Sequence, residues 1–189
     1  MPLERNHIDY KNIIAKLSAA MHSLSLGDLS DLRRMNPGEA GPSAFWRLAV
    51  VSGCSEDVGK TDIWMRIIKI IAILTPKGER TGDPIHDAKR SFGAALCDGG
   101  DPRWSGSSPL LSESRLMRFL AERNRRGDAL ERIARMLAAK RKSNDGINCN
   151  TIAELLLFPD SPHAPREIAR AYYQRLDRGS PETNKKDDN

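Results

Sequence analysis

One stretch of the chain resembles a phosphate-binding loop. Residues 48–61, LAVVSGCSEDVGKT, end in Gly59-Lys60-Thr61 after an apolar run, and a helical pattern follows. A working loop of this kind has a glycine five positions before its last one, so that backbone N–H groups can wrap the phosphates. Here that position holds Cys54, and Gly53 comes one residue too early. No apolar strand ending in a magnesium-binding aspartate follows, because residues 70–74 run into Thr75-Pro76. The expectation is a loop between two helices, with Thr61 or Asp62 capping the second.

The other chemistry-bearing side chains form no familiar constellation. His7, His22, His86 and His163 are scattered without metal-ligand spacing, and no HExxH, CxxC or GxSxG run occurs. Cys54, Cys97 and Cys149 are odd in number and far apart, which fits free thiols in a reducing compartment. Asp and Glu are dispersed among arginines, a pattern of solvated ion pairs and not of a carboxylate dyad. The sequence therefore predicts no catalytic residue, no metal, no cofactor and no small-molecule substrate.

What it does concentrate is positive charge. Residues 114–142 hold ten basic and three acidic side chains, a net +7, against +5 for the whole chain. The remainder is thus net −2, and the surplus is an asymmetry. Arginine dominates, and its planar fork matches phosphate oxygens two at a time. The candidate nucleic-acid-binding residues are Arg115, Arg118, Arg123, Arg125, Arg126, Arg132 and Arg135. No helix-turn-helix, finger or RNA-recognition signature accompanies them, so the expected target is the backbone and not a base sequence.

The elements that must position these side chains read as helices. Apolar residues recur at helical spacing over residues 8–24, through Ile13, Ile14, Leu17 and Met21. A short helix begins near Asp28 as N-cap, buries Leu29 and Leu32, and ends before Pro37. Ser43 caps a third, carrying Phe45, Trp46, Leu48 and Val51. Residues 61–74 are the most apolar segment, with Ile63, Ile67, Ile70, Ile71 and Leu74 on one broad face. Shorter helices follow at 91–97 and 112–124. A longer one starts at Asp128, with Glu131 completing a capping box and Leu130, Ile133, Ala134 and Leu137 as its buried stripe. Helices over 151–158 and 166–176 close the pattern. Loops fall at 76–84 and 101–109.

These segments imply an all-α fold, an irregular bundle of about seven to nine helices. Residues 1–178 form one domain, with two lobes meeting near 98–109 as the alternative, and residues 179–189 form a disordered polar tail. The longest apolar run, 67–74, is far short of a membrane span. No signal peptide opens the chain, so a cytoplasmic location is expected.

Several runs, in order, resemble one known family. They are Asp-Leu-Ser-Asp-Leu-Arg-Arg-Met at 28–35 and Pro-Ser-Ala-Phe-Trp-Arg-Leu at 42–48, then Ser-Phe-Gly-Ala-Ala-Leu at 91–96. Glu-Ser-Arg-Leu-Met-Arg-Phe-Leu-Ala-Glu-Arg follows at 113–123, Leu-Glu-Arg-Ile-Ala-Arg-Met-Leu at 130–137, and Ile-Ala-Arg-Ala-Tyr-Tyr at 168–173. Together they resemble the CasB family, the small subunit of the type I-E CRISPR Cascade surveillance complex. The resemblance spans about residues 20 to 178, and the two long loops and the polar tail depart from it. It implies a non-enzymatic all-α protein, present with a second copy of itself beside the backbone subunits, the large subunit and the crRNA-containing complex. Its implied task is to hold target and non-target DNA strands while the guide RNA reads sequence by pairing, in antiviral defence. Carried over by motif, Arg115, Arg118, Arg123, Arg132 and Arg135 are the DNA contacts. Arg33 and Arg47 also match, with a structural ion-pair role given more weight.

Two other classes remain open at this point. A helical interaction module would use the basic face to grip an acidic protein partner. A nucleotide-driven enzyme would need the Lys60 loop to bind ATP.

Overall fold

The computed structural model describes residues 9–78, 80, 82–106, 108–141 and 145–179. His7, Ile8, Lys142 and the polar tail beyond Gly179 lie outside the described residues.

Among the described residues the fold is all-α. Nine α-helices run in the order α1 Tyr10–His22, α2 Leu26–Arg34, α3 Ser43–Ser52, α4 Thr61–Leu74, α5 Phe92–Asp98, α6 Glu113–Ala121, α7 Arg126–Lys140, α8 Cys149–Leu157 and α9 His163–Gly179. The sole β-like feature among them is an isolated bridge between His86 and Ile147.

The sequence periodicity explains most of these elements, and the caps explain the differences. Helix α2 starts earlier than its Asp28 suggests, because the Ser25 hydroxyl accepts the Asp28 N–H and takes the capping role. Pro42 occupies the N-cap of α3, so Ser43 is its first helical residue. In α3 the buried residues are Ala44, Phe45, Leu48, Ala49 and Ser52, whereas Trp46 and Val51 face outward. Helix α7 begins two residues before Asp128. The predicted capping box is absent, since Asp128 and Glu131 instead reach the cations of α4: Arg66 Nη1 lies 2.6 Å from Asp128 and Lys69 Nζ 3.1 Å from Glu131. A tertiary ion pair has displaced a local cap.

Helix α4 is the axis of the molecule. Trp64, Met65, Ile67, Ile68 and every residue from Ile70 to Leu74 are buried. An apolar helix buried all round needs neighbours on all sides, and α1, α2, α7 and α8 supply them. The buried residues form one continuous cluster from Ile13 to Tyr172. On its far side α5 packs against α9. The crossing depends on Gly93, where an added Cβ would sit 2.2 Å from the Ile168 carbonyl oxygen.

Arginines close the open helix ends. The last carbonyls of an α-helix have no partner within the helix, and a cation there also complements the helix dipole. Arg33 donates from Nε to the Ala72 carbonyl at 2.8 Å and from Nη2 to the Thr75 carbonyl at 2.9 Å, and Arg141 donates to Leu74, all at the end of α4. Arg80 donates to the carbonyls of His22 and Leu24 beyond α1. The buried carboxylate of Asp98 takes Arg90 at 2.9 and 3.0 Å, Arg175 at 2.7 Å and the Gly100 N–H at 2.9 Å. Arg175 also donates to carbonyls of Asp101, Pro102 and Trp104 and lies over the Trp104 ring, so the loop after α5 is tied to α9.

Candidate nucleic-acid interface

Helices α6 and α7 and the turn between them carry the dense arginine segment. Leu116 and Phe119 anchor α6, and Leu130, Ile133, Ala134 and Leu137 anchor α7 against the core. The opposite faces are wet. Between the two helices lies a groove of about 380 Å³. Its walls include Phe119, Ile133 and Met136, and Arg115, Arg118 and Arg132 line it as well. All three arginines are exposed, and none has a carboxylate within 4.0 Å among the described residues. A guanidinium without a close carboxylate can turn its fork toward an incoming phosphate, although Glu122 also lines this groove and Asp128 acts on Arg132 from farther off.

The remaining predicted residues separate into different roles. Arg123 and Arg125 are exposed on the turn, with loose contacts to Asp160 at 3.9 Å and to Asp128 at 3.7 Å. Arg135 is exposed and leans on Glu131 at 3.4 Å. Arg126 does not belong to the surface at all. It is only 4% exposed and donates to the carbonyls of Glu122 at 2.9 Å, Leu155 at 3.3 Å and Pro159 at 3.0 Å. Burial, and then the neighbouring Arg123, lower its pKa. Its role is to hold the end of α8 against the start of α7. Arg33 is likewise structural, but through helix carbonyls and not through an ion pair. Arg47 does form one, with Asp28 at 2.8 Å on the surface.

Arg132 and Arg135, neighbours three residues apart on α7, nevertheless open into different hollows. Arg132 opens into the groove with α6. Arg135 faces a second, larger cavity of about 840 Å³ at the end of α4. That cavity is also lined by Arg33, Arg34, Lys77 and Arg141, with no acidic residue among its lining. Arg34 and Lys77 had no weight in the sequence because they lie outside the dense segment. The Arg33-Arg34 tandem at the end of α2 was the available signal.

The loop resembling a phosphate cradle folds differently from one. The segment before it, α3, is a helix, and residues Cys54–Glu56 and Val58–Lys60 form two 3-10 turns. Lys60 Nζ lies 3.5 Å from Asp57 and 5.9 Å from the Phe158 ring centre, and the Thr61 hydroxyl donates to the Val58 carbonyl. Asp57 in turn accepts from the Trp64 indole at 3.2 Å. One histidine near the core is occupied: His86 Nδ1 accepts the Cys149 N–H, and burial lowers the pKa of this ring. Burial pushes the Cys149 thiol up to about 12 and the Cys97 thiol up to about 11.

No helix among the described residues is long and apolar enough to cross a membrane. No protein-family model, curated protein or solved structure matches the chain.

Proposed function

We propose that this chain is a non-catalytic small subunit of an RNA-guided CRISPR surveillance complex of the Cascade type. In this reading it grips nucleic-acid backbone without reading sequence and steadies the opened DNA strands during guide pairing. The observation that carries the reading is the α6–α7 groove lined by Arg115, Arg118 and Arg132, none of them paired with a carboxylate among the described residues. The order of motifs that resembles the CasB family points the same way. Cytoplasmic residence and assembly with backbone subunits, a large subunit and a second copy belong to the same proposal.

The engaged Lys60 and the helical segment before it support a non-catalytic role. A phosphate cradle needs a free lysine and a row of inward N–H groups, and here the lysine lies against Asp57 and Phe158.

The deciding experiment is fluorescence anisotropy with labelled single- and double-stranded DNA, comparing wild type with the Arg115→Glu/Arg118→Glu/Arg132→Glu triple variant. The variant is expected to fold normally and to lose nearly all DNA binding. Equal binding by a folded triple variant overturns the assignment of the groove.

A further inference from the structure

A second cluster of chemistry-bearing side chains sits where α8 ends and α9 begins. Glu154 lies on α8, one turn before its end, and His163 and Glu167 lie on the first turns of α9. The four-residue spacing puts His163 and Glu167 on one helix face, and that face meets Glu154. One ligand atom from each residue lies within 4.8 Å of the other two. His163 Nδ1 and Glu154 Oε1 are 2.7 Å apart.

The electrostatics of this corner are out of keeping with the rest of the chain. The molecule is basic, at +5. Yet among the described residues neither Glu154 nor Glu167 has a lysine or arginine within 4.0 Å, and Glu154 pairs with His163 alone. The Glu154 side chain is only 13% exposed. Two carboxylates held this close repel each other, and partial burial strengthens the repulsion. The His163 imidazole is the one basic side chain within 4.0 Å of Glu154 among the described residues. A cation bound between the two carboxylates would relieve that repulsion.

We propose that Glu154, His163 and Glu167 bind a divalent transition-metal cation of the zinc class, clipping the end of α8 to the start of α9. The donor set selects the class. An imidazole nitrogen with two carboxylate oxygens suits zinc and its neighbours, whereas magnesium and calcium prefer oxygen alone. The distances fit as well. Bonds of about 2.0–2.2 Å in tetrahedral geometry place ligand atoms about 3.3–3.5 Å apart, and here one pair is 2.7 Å apart while one ligand atom from each of the three residues lies within 4.8 Å of the others. A metal bound at His163 Nδ1 takes the place of the hydrogen bond to Glu154, with any proton on that nitrogen released to solvent, and small side-chain rotations reach the required spacing.

A supporting residue is also in place. Tyr10, the first residue of α1, has its hydroxyl near Glu154, and burial first and Glu154 second raise its pKa. Its ring packs edge-on against Phe158 at 5.6 Å. Such a partner fixes the orientation of a metal-binding carboxylate, so Tyr10 is a positioning residue. Three protein ligands leave one position for water, and His163 lies open to solvent, so the ion has a path in. This inference stands apart from the proposed DNA groove and uses none of its residues.

The test is titration calorimetry of tag-free, chelator-stripped protein with zinc ions, alongside thermal unfolding. Wild type is expected to bind one zinc ion per chain and to unfold at a higher temperature when loaded. His163→Ala, Glu154→Gln and Glu167→Gln should each weaken zinc binding more than about tenfold, and Tyr10→Phe by about tenfold with its ring packing kept. The cobalt complex should show visible absorption bands that the His163→Ala variant lacks. Magnesium should not displace zinc. Zinc binding that is absent from wild type, or equally strong in a folded His163→Ala or Glu167→Gln variant, overturns the proposal. So does a site that prefers magnesium.

Discussion

Neighbouring arginines in this chain do unlike work. Arg125 is exposed on the turn between α6 and α7, while Arg126 is buried and occupied by three carbonyls. Replacing Arg126 with Ala strands those acceptors in a low-dielectric interior, at a cost of about 1–3 kcal/mol. Replacing Arg118 with Ala removes only exposed charge and should stay within about 0.5 kcal/mol. Thermal unfolding of the two variants checks the contrast, and equal melting temperatures would refute it. The buried acids give a pH signature. Cys149 and Tyr172 are both pushed up to about 12 and Cys97 to about 11, chiefly by burial. In the unfolded chain a thiol ionises near about 8.5 and a phenol near about 10. A raised folded value means the contribution is complete below the unfolded pKa and disappears as pH climbs through the folded one. Denaturant midpoints should therefore hold steady up to about pH 8 and decline between about pH 9 and 12. A midpoint flat across that window would contradict the burial of these groups.

At the level of elements, α7 is the instructive case. Its apolar stripe was legible in the sequence because Leu130, Ile133, Ala134 and Leu137 recur at helical spacing. Its start was not, because Asp128 and Glu131 look like capping residues and serve Arg66 and Lys69 instead. The same geometry separates Arg132 from Arg135. Arg132 has no carboxylate within 4.0 Å among the described residues, whereas Arg135 already holds Glu131. Arg132→Ala should thus weaken DNA binding more than Arg135→Ala. The slope of log affinity against log salt should become shallower by about 0.7–0.9 for each phosphate that is no longer neutralised. Anisotropy titrations at several salt concentrations measure both quantities, and an Arg135 effect larger than that of Arg132 would reverse the assignment. The α5–α9 crossing makes a different demand. Gly93→Val places side-chain atoms into the Ile168 backbone, and overpacking of this kind costs about 1–3 kcal/mol or more. The expected readout is a lower melting temperature with loss of the native near-ultraviolet dichroism.

Across the whole molecule, the sequence by itself determined the helical class, the apolar stripes and the excess of arginine in one segment. These are local properties: a side-chain period of 3.6 and a count of charges survive whatever the distant chain does. The broken phosphate-loop motif was equally legible, because the missing glycine is a matter of spacing. The tertiary structure alone decided which arginines are free. Arg126 is taken by the carbonyls of Leu155 and Pro159, and Arg33 by those of Ala72 and Thr75, each contributed by residues far along the chain. No periodicity encodes such a pairing, since a long flexible cation can snorkel to water or fold inward with equal local ease. Glu154 and His163 likewise carry no signal as neighbours in sequence, and only the packing of α8 against α9 brings them within bonding distance. Charge was written in the chain, and its availability was settled by which buried carbonyls and carboxylates claimed each guanidinium first.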